Sequence, residues 1–185
     1  MSNAAIDRAT YVDILKLPEN ITGEVINGVL YQQPRPAPRH AYASSRLGAA
    51  INSPFDRGKG GPGGWWILDE PECHLGADIL VPDIAGWRRE RMSSLPDTAW
   101  FELPPDWVCE VLSPSTASKD RIDKQGVYLR EGVGFLWFID PEAKTLEAFQ
   151  LTSGSWLLIA ALSGEDQAAV APFDDVPFDL GELWA

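Results

Sequence analysis

Two carboxylates stand where a folded chain tolerates them least. Glu110 interrupts the apolar run Trp107-Val108-Cys109-Glu110-Val111-Leu112, and Asp83 lies within Ile79-Leu80-Val81-Pro82-Asp83-Ile84-Ala85-Gly86-Trp87. Both runs have the length and composition of buried strands, where an unpaired charge is costly. Any fold available to this chain must therefore give each acid a partner. Residues i and i+2 of a strand face the same side. The pattern thus predicts that Glu110 shares a face with Val108 and Leu112, and Asp83 with Val81 and Ala85. Two acids on adjacent strands repel, and one tends to take up a proton. A divalent cation such as Mg2+ removes that conflict, because it favours hard oxygen ligands. Separate pairing of each acid with an arginine, or a place at a strand edge, removes it equally well. The residues alone leave both solutions open.

The surrounding chain predicts an α/β fold. Thr10–Leu17 reads as a short helix capped by Thr10 and stopped by Pro18. Asn27-Gly28 between apolar flanks is a strong hairpin signal. Pro34, Pro36 and Pro38 impose an extended segment, and Arg39 to Asn52 has the spacing of a helix packed on one side. Gly58–Gly64 lacks the Gly-Lys-Ser/Thr order of a phosphate-binding loop and reads as an ordinary loop. Strands are expected at 65–68, 79–87, 107–112 and 135–139, with a polar insertion over 88–105. Ser115 or Thr116 caps a helix running to about Glu131 and closed by Gly132. A hairpin spans 145–162, and the tail from Glu165 is acidic. The expected architecture is a mixed β-sheet core flanked by helices, with added hairpins. No repeat or linker divides it, so residues 1–185 are expected to form a single domain.

Composition narrows the function classes. The apolar share of 45% is that of a globular protein, and no apolar run approaches the ~20 residues of a membrane helix. Met1–Asp7 shows no signal peptide, which points to a cytoplasmic protein with no membrane partner. Cys73 and Cys109, with His74 and His40, do not make the four-ligand pattern of structural zinc. The net charge of -12 opposes general attraction to nucleic acid, although a local basic groove is compatible with it. Arg35, Arg39, Arg46, Arg57 and Lys59 cluster in sequence, as do Arg88, Arg89 and Arg91, and Lys119, Arg121 and Lys124.

An ordered set of motifs then carries a resemblance. It comprises Gly23-Glu24-Val25-Ile26-Asn27-Gly28, Arg39-His40, Val81-Pro82-Asp83, Cys109-Glu110-Val111-Leu112-Ser113-Pro114-Ser115-Thr116, Asp120-Arg121 with Lys124 and Tyr128, Gly132-Val133, and Leu136-Trp137-Phe138-Ile139-Asp140-Pro141. Together these resemble the Uma-type restriction endonuclease family of the PD-(D/E)XK nuclease superfamily, over about residues 10 to 151. The resemblance implies a restriction-endonuclease-like fold and Mg2+- or Mn2+-dependent hydrolysis of DNA phosphodiester bonds, and it is read here with a homodimeric state. Asp83 and Glu110 become the metal ligands, and Glu24 the amino-terminal acid that completes the catalytic set. The superfamily expects a lysine two residues after the second acid, where this chain has Leu112. The resemblance moves that role to Lys124. Helical spacing puts Lys124 on one face with Asp120 and Tyr128. His40, Arg39 and Arg121 are assigned to substrate binding.

Ser113, Ser115 and Thr116 have neither a nearby histidine nor a nucleophile elbow, and they read as a turn and helix cap. Two other functions remain compatible with the same residues. One is a catalytically silent nuclease-fold binding module, and the other a homodimeric interaction protein, for which the eight tryptophans of the chain and the apolar carboxyl-terminal strands leave room for an interface. Geometry at Asp83, Glu110 and Lys124 separates them from an enzyme.

Overall fold

The computed structural model describes residues 8–33 and 35–185. The expectation for Met1–Asp7 and the place of Pro34 in the extended segment lie outside those residues. The first helix, α1, covers only Tyr11–Ile14 and is followed by a turn rather than running to Leu17. The Asp13 carboxylate accepts the Thr10 backbone N–H and closes the helix start. The hairpin β1 (Thr22–Ile26) and β2 (Val29–Gln33) turns at Asn27 and Gly28, with φ of 53° and 81°. Both residues take the left-handed conformation that the tight turn demands. Helix α2 spans Pro38–Ile51, with Pro38 in its first turn, and continues through one π-helical turn over Asn52–Asp56.

Strands β3 (Trp65–Asp69), β4 (Cys73–Leu75), β5 (Asp78–Leu80), β6 (Ile84–Arg88) and β7 (Trp107–Val111) follow. Helix α3 (Ala117–Lys119), a π-helical turn over Asp120–Lys124 and α4 (Gln125–Arg130) then form one continuous helical arm. The remaining elements are β8 (Phe135–Asp140), β9 (Thr145–Thr152), β10 (Ser155–Ser163), β11 (Gln167–Ala168), β12 (Phe178–Asp179) and a closing 3-10 turn over Leu180–Leu183.

The largest sheet has the order β10-β9-β8-β7-β6-β3, and β7–β8 is its parallel pair. Parallel neighbours need a crossover, and the α3–α4 arm supplies it. A second, antiparallel sheet has the order β2-β1-β5-β4. The run 79–87, expected as one strand, is thus two strands in two different sheets. Pro82 has no N–H to donate to a ladder, so the chain bends at Val81-Pro82-Asp83 and leaves one sheet for the other. Asp83 consequently does not share a strand face with Val81 and Ala85; it stands on the bend.

Strand β7 alternates as period two requires. Trp107, Cys109 and Val111 join one core cluster with Leu47 and Ile51 of α2, while Val108 and Leu112 join the other with Val127 and Tyr128 of α4. Glu110 points to the face covered by the helical arm. The acidic tail is not an appendage, since Ala168, Val170, Phe173, Leu180 and Leu183 are buried in the first cluster. Among the described residues no helix is long and apolar enough to cross a membrane.

Candidate metal and nuclease site

The bend that carries Asp83 is held by carboxylates on both sides. The Val81 N–H, freed where the ladder stops, donates to Glu24 Oε1 at 2.9 Å. Asp83 Oδ2 accepts the Val111 N–H at the end of β7, at 2.7 Å, and its backbone carbonyl accepts the Glu70 N–H. These bonds tie β1, β7 and the β3–β4 turn to one point. His40, near the start of α2, places Nε2 3.3 Å from Asp83 Oδ1. Its Nδ1 is buried without a partner among the described residues. Burial depresses the imidazole pKa, but the bond to Asp83 and the negative charge of Asp83, Asp120 and Glu70 outweigh it and raise the value.

Lys124 is the centre of the buried network. Its ammonium lies 2.8 Å from Glu24 Oε1, 3.0 Å from Glu110 Oε2 and 3.8 Å from Asp120 Oδ1, and the side chain is 1% exposed. Lys124 thus meets Glu24 and Glu110 from the helical arm. Burial opposes its charge, yet Glu110, Glu24, Asp120 and Asp83 more than offset this and raise its pKa well above the ordinary lysine value. Burial pushes the Glu110 carboxyl well up. Lys124 draws it back, and Asp120, Asp83 and Glu24 raise it further. Tyr128, one helical turn after Lys124, donates its hydroxyl to Glu110 Oε1 at 2.5 Å.

Glu24 lies beneath the cleft. Its Oε1 meets Val81 N–H and Lys124, and its Oε2 meets Lys119 at 2.8 Å. It is fully buried behind Lys124 and is not part of the cleft wall. Burial raises its pKa, but the two ammonium groups lower it more, so the net shift is downward. Glu24, Glu110, Lys119 and Lys124 form two acids balanced by two cations.

A cleft of about 470 Å³ opens over this network, and Asp83, Glu110, Asp120, Lys124, His40 and Glu70 all line it. Arg39 and Arg121 do not. Arg39 is exposed at the start of α2, and Arg121 pairs with Glu147 over the Phe138 ring. Glu70, Tyr128 and Lys119 are site residues that sequence reasoning did not assign. Tyr128 and Lys119 carried the only available signal, their place near Lys124 on the helical arm.

The chemistry of the donor set fits Mg2+ or Mn2+. Carboxylate oxygens and one imidazole line the cleft; Glu110 Oε1 already accepts from both Tyr128 and Lys124, which leaves Oε2 as its oxygen with capacity to spare. Asp83, Asp120 and Glu70 add three carboxyl groups to the cleft, where His40 stands beside Asp83, Lys124 beside Asp120, and Arg35 also lines the wall. Among the described residues no group of three or more His, Cys, Asp or Glu side chains is placed to hold a metal ion, so the candidate ligands are the pair Asp83 and Glu110.

The comparisons decide the family. The family model Uma2, described as putative restriction endonuclease, matches residues 9–179. The chain belongs to the Uma2 family. A crystal structure of a putative nuclease belonging to DUF820 from Anabaena variabilis ATCC 29413 superposes with a TM-score of 0.73 at 24% identity. The match covers 95% of this chain and 97% of that one. At that identity the likeness shows a shared fold, the mixed α/β architecture described above. No curated protein matches the chain.

Proposed function

We propose that this Uma2-family protein is a Mg2+- or Mn2+-dependent nuclease that hydrolyses phosphodiester bonds of DNA. The observation that carries the proposal is the convergence of Asp83, Glu110 and Lys124 in one cleft, although they come from a bend, a strand and a helix. Asp83 and Glu110 would hold the ion. When bound, it polarises the phosphate and lowers the pKa of a coordinated water.

The chain's own residues supply the rest. Lys124 keeps a positive charge beside the place where charge develops on the phosphate. Tyr128 fixes the orientation of Glu110, and the Val111 N–H and His40 fix that of Asp83. Glu24 holds Lys124 and the Val81 end of the bend, with Lys119 balancing its second oxygen. In this reading Glu24 acts by positioning rather than by ligation.

Cytoplasmic action and a homodimeric state belong to the same proposal. Cys73 and Cys109 are both free thiols, which suits a reducing compartment. Strand β10 is a charge-free edge with Leu157 and Leu158 exposed, a surface that accepts a second copy. The deciding experiment incubates the protein with supercoiled, linear duplex, flap and single-stranded DNA in Mg2+ or Mn2+, beside Asp83→Ala. Cleavage by the parent and none by the variant is the expected result. Absence of cleavage on every form, with no ion uptake by calorimetry, would sink the proposal in favour of a silent binding module.

A further inference from the structure

A second cavity, of about 580 Å³, runs along α2 and the π-helical turn that follows it. It shares Pro36, His40, Glu70 and Asp83 with the cleft described above. The two cavities therefore meet at Asp83 and His40 and form one trough, with the candidate reacting centre at the junction. Arg35 lines only the first arm and Arg57 only the second. Both guanidinium groups are exposed, and neither makes an ion pair among the described residues. Arg46, Arg89, Arg91, Arg121 and Arg130, by contrast, are each paired with a carboxylate.

Resting on the nuclease reading, we propose that this trough is a track for the phosphate backbone of a nucleic-acid strand. Arg35 and Arg57 contact phosphates on opposite sides of the reacting one. The α2 wall of the second arm is made of small residues, Ala41, Ser44, Ser45 and Gly48. Their size lets a chain approach the helix closely, and the serine hydroxyls can donate to phosphate oxygens. Asp69, Glu70 and Asp83 crowd the junction, so the track takes a polyanion when a divalent cation is present in solution. The arrangement also explains how a chain of net charge -12 accommodates one, since each arm of the path is lined by an arginine, Arg35 in one and Arg57 in the other.

The test measures binding of a labelled single-stranded oligonucleotide, and of the duplex of the same sequence, by anisotropy across a salt series in Ca2+. Four variants are compared with the parent: Arg35→Ala, Arg57→Ala, Arg39→Ala and Arg121→Ala. Arg35→Ala and Arg57→Ala should each weaken binding and flatten the slope of log K against log salt. The expected change is about 0.7 for the single strand or about 0.9 for the duplex. Arg39→Ala and Arg121→Ala should leave the slope as it is. The probe that binds more tightly identifies the strand form that occupies the track. Unchanged slopes for Arg35→Ala and Arg57→Ala, or equal losses in all four variants, would overturn the track. If the parent still cleaves DNA in that case, the nuclease proposal survives; a parent that neither binds nor cleaves removes both.

Discussion

Replacing Lys124 by methionine tests the central network most directly. Methionine keeps most of the aliphatic stem, so little cavity forms, but the cation disappears from between two carboxylates. Glu24 is 0% exposed and Glu110 2% exposed, so water cannot replace the lost partner. Removing one member of a buried ion pair costs about 3–5 kcal/mol. For a domain of this size each kcal/mol lowers Tm by about 2–4 °C, which gives a fall of roughly 6–20 °C. The loss should depend on pH with a definite sign. Without Lys124, burial holds the folded-state pKa of Glu110 still further above the unfolded value of about 4.3, whereas Glu24 keeps Lys119 as its partner. Stability from the protonated form of Glu110 is present below that unfolded value and is lost as pH rises through the folded pKa. The penalty should therefore be smaller at pH 5 than at pH 7.5. Calorimetric or circular-dichroism melts of parent and variant at the two pH values measure it. A variant within 2 °C of the parent at pH 7.5, or a penalty equal at both values, would refute the reasoning.

Two further perturbations probe other parts of the structure. Tyr128→Phe removes only the hydroxyl that donates to Glu110 Oε1; it should cost about 1.5–3 kcal/mol in urea unfolding and weaken Mg2+ uptake by calorimetry, and unchanged values in both would deny Tyr128 its orienting role. Phe173→Ala removes a ring packed against Phe55, Trp65, Trp107 and Trp137. It should cost about 3–5 kcal/mol, and a loss below 1 kcal/mol would mean that the carboxyl-terminal segment is a detachable tail.

Features governed by short-range chemistry were legible in the chain. Asn27-Gly28 specifies its own turn because both residues accept the left-handed conformation. Pro38 starts α2, and the β7 alternation around Glu110 follows from the two-residue period of a strand. Lys124 was singled out by the family resemblance, and its helical spacing to Asp120 and Tyr128 only made a reach over the sheet feasible. The break at Pro82 was also written in the sequence, yet its consequence was not. Whether a proline ends a strand or sits at its edge depends on which sheet receives the next residues.

The acids in apolar strands determined from the start that this chain needed buried compensation for charge. Only the tertiary structure decided who supplies it. Lys119 and Lys124 meet Glu24 across 95 and 100 positions of chain, and no local rule predicts a contact at that separation. Glu24 thereby becomes a buried support rather than part of the cleft wall, Glu70 enters the cleft through the β3–β4 turn, and Arg121 is drawn away to Glu147. The physical reason is that a buried ion is satisfied by whichever opposite charge packing brings within reach, and packing is a property of the assembled sheets and helices rather than of any segment.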